Sequence, residues 1–394
     1  MVTHQNPYQI KMLLMLPVFH QTYLETEFST REYLFLKIII TVLQSVQNIA
    51  LESLAAQLPI PILFESRRKK IQRFLSLPNL SIEKVWLPIV RGWLEETFTA
   101  KSVVYLVIDR TTWANINLFM VSVVWEKRSF PVYFQLLPKL GSSNFEEQRR
   151  ILSHVLPIFE IYKICVLGDR EFCSIVLANW LREQKAYFCL RLKNNHFVKI
   201  KKDVYIELKN LGLSPGVSLF LEGVKVTKSH GFDDFNIAGK WKGKVKGIAP
   251  KEPWFILTNL DTLEQAVSAY KKRFCIEEMF RDFKKGGYYL EGTQVRGNRL
   301  IALIILIAIA YTTATIKGQQ IKRKGSQKYV GRVKEFGRYE RRHSTFYIGL
   351  YGSDWVNFTT SCWDLILELL KLIPNKRKYH QRGLRAMELM LSSS

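Results

Sequence analysis

Acidic residues are in short supply in this chain, with 34 Asp and Glu against 58 Lys and Arg. The balance, a formal net charge of +24, disfavours cationic partners and favours a polyanion. Cysteine is scarce as well. The five residues Cys165, Cys173, Cys189, Cys275 and Cys362 are far apart, odd in number and without a CxxC pair. That excludes a zinc ribbon or a disulfide framework and points to a reducing compartment. The seven histidines are scattered with no pair at ligand spacing. Ser, Cys and His assemble no nucleophilic triad. A Gly-rich phosphate-cradling loop is absent too, since Lys284-Lys-Gly-Gly287 reads as a helix end, which argues against an ATP-driven enzyme. The longest apolar run, Leu300 to Tyr311, is 12 residues and reads as a buried core helix rather than a membrane span. Met1 to Pro17 lacks the charged start and cleavage site of a signal peptide. A cytoplasmic protein without membrane association is expected.

What is present describes a folded chain. Hydrophobic residues make up 47% and charged residues 23%, and 394 residues predict two or three domains. Nucleic acid is the leading anionic partner, because phosphate contacts supply most non-specific affinity. Part of the charge is concentrated. Ser66-Arg-Arg-Lys-Lys-Ile-Gln-Arg-Phe-Leu75 carries five cations with Ile71, Phe74 and Leu75 at helical spacing, which suits a solvated basic face and a DNA-contacting helix equally. Residues 317–394 have 16 Lys and Arg against 6 Asp and Glu, including Lys322-Arg323-Lys324 and Lys376-Arg377-Lys378. An amphipathic stretch, Cys362 to Ile373, lies within this tail.

The hydrophobic pattern divides the chain. Residues 1–100 read as helical, with long helical patterns over Arg31–Ala56 and over Ile82–Phe98, the second interrupted near Pro88. From residue 101 short β-branched runs take over. Val103–Asp109, Asn117–Glu126 and Phe130–Leu137 read as three consecutive strands, followed by a helix opened by Asn144. Tyr162–Asp169 is a fourth strand, Ser174–Gln184 a helix and Ala186–Lys193 a fifth strand. This order is that of a ribonuclease-H-like α/β fold. Residues 195–260 then alternate strands with Gly and Pro punctuation, a β-rich insertion ahead of the next core helix. The expected plan is a helical, DNA-binding N-terminal region at 1–100, a catalytic core at 101–194 and 261–316, the insertion at 195–260, and a basic, helical C-terminal region at 317–394.

The segment from Tyr270 to Lys284 is the most informative. If helical, Tyr270, Arg273, Glu277 and Lys284 share an arc about 60° wide. An ordinary exposed helix with paired Glu and Lys has the same look. In the proposed topology, however, Asp109 and Asp169 end neighbouring parallel strands, and the helix carrying Glu277 packs over that edge. Three carboxylates converging there would repel without a cation, and oxygen-only ligands suit Mg²⁺ or Mn²⁺. Taken singly, an Asp at a strand end more often serves a turn. Asp203, Asp233, Asp234, Asp261, Glu278 and Asp282 are competing acids, but Glu278 lies about 100° further round the helix than Glu277.

The four spaced residues resemble the Y-R-E-K signature of bacterial insertion-sequence transposases of the DDE cut-and-paste type, the insertion-sequence-four group. Asp109, in Val-Ile-Asp-Arg-Thr-Thr, and Asp169, in Leu-Gly-Asp-Arg-Glu-Phe, are similar to that family's first and second catalytic acids. The resemblance covers about 100–316. It implies a ribonuclease-H-like core interrupted by a β insertion, with Asp109, Asp169 and Glu277 holding two metal ions. It also implies hydrolysis at element ends followed by strand transfer into target DNA, with Tyr270, Arg273 and Lys284 on the DNA backbone. Double-stranded DNA and a homodimer on paired ends are the implied partners. Two residues depart from the pattern: Arg110 stands where relatives often have a small hydroxyl residue, and Glu171 where Gly is usual. In members that form a hairpin intermediate a Trp stacks on a flipped base, and Trp241 and Trp254 are the candidates here, against the commoner core role of Trp. The competing functions are a transposase-derived DNA-binding protein without catalysis and a plain metal-dependent nuclease of similar fold.

Overall fold

The computed structural model describes residues 16–201, 204–227, 234–244, 251–334, 336 and 342–391. Most of the N-terminal stretch read for a signal, together with Asp203 and Asp233, lies outside the described residues. The chain begins with α1 (Val18–Glu27), α2 (Thr30–Val46), α3 (Leu51–Gln57) and α4 (Phe64–Phe74). A π-helical turn, Ile82–Trp86, leads into α5 (Leu87–Thr97). Strands β1 (Val103–Trp113), β2 (Ile116–Trp125) and β3 (Arg128–Leu136) follow, then α6 (Phe145–Val155), β4 (Lys163–Gly168), α7 (Ile175–Glu183) and β5 (Tyr187–Arg191). The expected insertion contributes β6 (Phe197–Lys201), β7 (Val204–Glu207), β8 (Ser218–Lys225), β9 (Asp234–Lys240) and β10 (Trp254–Thr258). Helices α8 (Leu263–Lys271), α9 (Phe274–Phe283), α10 (Asn298–Arg323), α11 (Thr345–Ser361), α12 (Trp363–Leu372) and α13 (Arg377–Leu391) complete the chain.

Two compact units result, Met1–Ile89 with Arg281–Ser394, and Val90–Phe280. The second unit is built on one mixed sheet in the order β3-β2-β1-β4-β5-β10-β9-β8. Its β3-β2-β1-β4-β5 half has β1 antiparallel to β2 and parallel to β4, which is in turn parallel to β5, as expected of a ribonuclease-H-like core. The insertion does not stand apart as its own layer. Through the antiparallel pairing of β10 with β5 it extends the same sheet by three strands, and only β6 and β7 form a separate ribbon. Local chemistry explains the framing helices. Asn144 accepts from the Glu147 amide while the Glu147 carboxylate accepts from the Asn144 amide, a reciprocal cap that opens α6. Ser29 and Glu32 do the same for α2.

The first unit is helical around α10. This helix is long and apolar enough to cross a membrane, but its apolar residues are buried in the fold. The amphipathic α12 leaves Leu365, Leu369 and Leu372 exposed. Two expectations are corrected here. The pattern over Arg31–Ala56 is two helices, because Gln47 adopts a left-handed conformation with φ 54° at the end of α2. The segment from Tyr270 to Lys284 is likewise broken: α8 ends at Lys271 and α9 begins at Phe274. Between them Lys272 and Arg273 donate to Ala269 and Tyr270, tightening the chain to i→i+3 bonds, so a single helical arc does not describe the four residues.

Candidate functional site

The parallel ladder between β1 and β4 ends with Ile108 opposite Gly168. Asp109 and Asp169 are the next residues along the two segments, so both acids lie at adjacent positions just past the end of the parallel ladder. β1 itself continues past Asp109 to Trp113, paired only with β2, whereas β4 stops and turns. At that turn Asp169 accepts from the Glu171 amide at 2.8 Å and caps the short 3₁₀ segment Arg170–Phe172. Gly168 is required by this close turn: a Cβ there would stand 2.8 Å from the Phe172 Cβ. Asp109 accepts from the Arg110 amide at 2.7 Å.

Arg273 joins two of the acids. Its Nη1 lies 3.5 Å from Asp109 Oδ2, and its Nη2 donates to Glu277 Oε1. The Arg273 side chain is only 7% exposed and that of Asp109 15%, while Glu277 opens to solvent. Burial foremost, with the charges of Asp169 and Glu277, raises the Asp109 pKa to about 7 against the pull of the Arg110 amide and Arg273. Burial works against the Arg273 charge, but Tyr270, Glu277 and Asp109 outweigh it and leave its pKa raised. Three acids and one guanidinium thus share one electrostatic environment. Glu278 stands apart, 3.7 Å from Arg128. Asp234 opens β9, Asp261 precedes the Thr262 cap of α8, and Asp282 belongs to the other unit.

The remaining signature residues behave differently. Tyr270 is fully buried, with its ring 5.2 Å from that of Trp254, while its hydroxyl feels the charges of Arg273, Arg191 and Asp169. Lys284, in the helical unit, pairs with Glu291 at 2.7 Å. Trp254 is held between Tyr270, Phe274 and the Lys242 ammonium. Sequence reasoning missed two neighbouring groups. Glu252 pairs with both Arg170 and Arg191 and accepts from Asn194. Arg110 and Glu171 form a bidentate pair next to the two aspartates. The signal for the latter was the pair of departures noted at those two positions.

The donor set fits a hard divalent cation, being all oxygen, and the raised Asp109 pKa, due first to burial and then to Asp169 and Glu277, marks a carboxylate that a cation would stabilise in its charged form. Among the described residues no three His, Cys, Asp or Glu side chains are already arranged around one metal position. In this arrangement Arg273 supplies the positive charge that Asp109 and Glu277 face.

In the helical unit, α4 and the segment leading into α10 enclose a cavity of about 1000 Å³ lined by Arg68, Gln72, Arg296, Asn298 and Arg299. Arg68 is paired with Glu52, and Arg299 donates to Ser76 at 3.0 Å.

Comparison with known proteins gives one family. Residues 118–313 match the model of the transposase DDE domain. The match includes Asp169 and Glu277 and begins nine residues after Asp109. It supports a DDE-type transposase, and with it DNA transposition and recombination. A cryo-EM structure of the piggyBac transposase synaptic complex with hairpin DNA is similar over 89% of this chain and 78% of that one, at 14% identity and a TM-score of 0.47. Marinitoga piezophila Argonaute, in a crystal structure with a 5′-OH guide RNA and target DNA, is similar over 66% of this chain and 38% of its own, at 11% identity and a TM-score of 0.23. No curated protein matches the chain.

Proposed function

We propose that this chain is a cut-and-paste DDE transposase of the insertion-sequence-four kind, which cleaves DNA at the ends of an insertion sequence and joins those ends to target DNA. The observation that carries the reading is the register of β1 and β4, which sends Asp109 and Asp169 out side by side while Arg273 draws Glu277 toward Asp109. Asp109, Asp169 and Glu277 would hold Mg²⁺ or Mn²⁺. When bound, a pair of such ions activates a water or a 3′-hydroxyl and stabilises the leaving oxygen of an in-line phosphoryl transfer. The protein's own residues do the arranging. The Arg110 and Glu171 amides orient the two aspartates, and burial keeps Asp109 strongly interacting with any nearby charge.

DNA contact follows from charge. Arg273 and Lys284 carry the donors that phosphate accepts, and Lys284 would exchange Glu291 for a backbone oxygen. A Tyr270 contact requires local opening around Trp254, because the residue is fully buried. The basic α4 face and the cavity it shares with Arg296 and Arg299 supply a second surface for the duplex. Double-stranded DNA is the partner, and a homodimer on paired ends and a cytoplasmic location complete the reading.

The test compares two adjacent glutamates. With DNA carrying the flanking element ends and Mg²⁺, Glu277→Gln is expected to abolish cleavage and joining while Glu278→Gln retains both. Joining that survives in Glu277→Gln would remove that acid from the site. Cleavage by the wild type without joining would indicate a plain nuclease, and binding without cleavage would indicate a non-catalytic DNA-binding protein.

A further inference from the structure

Arg110 and Glu171 stand 61 residues apart in sequence, and the structure joins them. Arg110 directs Nε to both carboxylate oxygens of Glu171, at 3.0 and 3.1 Å, and Nη2 to Oε2 at 2.9 Å. The two side chains are only 15% and 13% exposed. Both side chains have further partners. Arg110 Nη1 donates to Asn117 Oδ1 at 3.0 Å, and Asn117 in turn donates to the Lys139 and Gly141 carbonyls. Glu171 Oε1 accepts from the Ser143 amide at 2.8 Å and from its hydroxyl at 2.7 Å, and Gln148 donates to Ser143. Burial would raise the Glu171 pKa, but the donors from Arg110 and Ser143 outweigh it and leave the carboxylate charged.

The location matters more than the strength. The β1–β4 ladder ends at Ile108 and Gly168, so the backbone pairing that would fix the spacing of Asp109 and Asp169 stops one residue short of them. The pair spans the two chains just beyond that point. It also acts on the groups that hold the acids, since the amide of Arg110 donates to Asp109 and the amide of Glu171 donates to Asp169. A fork-to-fork ion pair fixes orientation as well as distance. The Arg110–Glu171 pair therefore adds a tie between the β1 and β4 segments beyond the point where their ladder ends.

We propose that Arg110 and Glu171 are positioning residues, a side-chain clamp that sets the separation and orientation of Asp109 and Asp169 for the cation-holding role given to them above. This rests on that reading of the two acids. The clamp touches neither DNA nor the reacting phosphate. Its effect passes through the two amides and the two aspartates.

The test uses the full chain with Arg110→Lys, which keeps the charge but loses the fork, Glu171→Gln, which keeps the shape and the Ser143 contact, and the double variant. Two quantities are measured: Mn²⁺ affinity by calorimetry, and amide hydrogen exchange in peptides covering 109–111 and 169–172. Each single variant is expected to weaken Mn²⁺ binding by about tenfold, the range seen when groups supporting metal ligands are removed. Exchange in both peptides should quicken in either single variant, including in the strand not mutated. The double variant should be no worse than the weaker single, because both changes break one link. Unchanged Mn²⁺ affinity in the single variants, exchange that quickens only in the mutated strand, or effects that multiply as independent sites would each overturn the clamp. Should wild type bind no Mn²⁺, the exchange result still decides the clamp, and the failure belongs to the cation reading instead.

Discussion

A carboxyl group pushed up to about 7 is half protonated at neutral pH, and Asp109 is such a group. Its unfolded value lies near 3.8, so the unfolded chain gives up this proton first as pH rises. The contribution of Asp109 to stability is therefore most favourable below about pH 4, falls between there and about pH 7, and stays low above. Asp109→Asn removes that cost. Thermal denaturation at pH 8 should show the variant more stable than wild type by ~1–3 kcal/mol, with the gain vanishing near pH 4. A proton and a divalent cation compete for the same oxygens, so Mn²⁺ affinity of the wild type should rise as pH passes through about 7. At this scale the neighbouring placement of Asp109 and Asp169 was legible, because each ends an apolar run that reads as a strand. The role of Arg273 as their shared counter-charge, and the pairing of Arg110 with Glu171, were not. Both depend on side chains brought together from positions 4 to 164 residues apart, and no local pattern encodes which pairs meet.

At the scale of elements, runs such as Val103–Asp109 and Tyr162–Asp169 predicted strands in the right order, and Asn144 predicted the start of α6. Those features are local: β-branched runs bounded by turns, and a cap that closes on itself. Partners more distant in sequence were hidden. Nothing in Trp254–Thr258 announces that it will pair with β5 and extend the main sheet. The break between α8 and α9 was equally invisible, since the apolar spacing runs through it without Gly or Pro. The crossing of α10 and α11 yields its own prediction. A Cβ on Gly318 would collide with the Thr345 carbonyl, and one on Gly349 with the Ala314 carbonyl, so the two helices touch backbone to backbone. Gly349→Ala must push the helices apart and should cost about 1–3 kcal/mol in denaturant melts. Gly383→Ala in α13, with no atom within 4 Å of the added methyl, should instead be neutral or gain up to ~1 kcal/mol. A melt in which both variants behave alike would contradict the close packing.

For the whole molecule, the excess of 58 cationic over 34 acidic residues forecast a polyanionic partner, and the transposase match gives that partner a reason to be DNA. Charge alone could not say where the cations gather, which needed the folded positions of α4 and the segment before α10. Binding of duplex DNA should weaken steeply with salt, and Arg296→Ala should lower the slope of log K against log salt by about one. Since Arg296 belongs to the helical unit and the acids to the other, this variant should leave Mn²⁺ binding unchanged. The central claim is that the acids just beyond the end of the β1–β4 ladder perform metal-dependent cleavage and joining. The most direct measurement is strand transfer of DNA carrying both element ends, in Mg²⁺ and in EDTA, by wild type and by Asp169→Asn. The account predicts joined product only for wild type with Mg²⁺, with DNA binding retained by the variant. Joined product in EDTA, or from Asp169→Asn at the wild-type level, would contradict it.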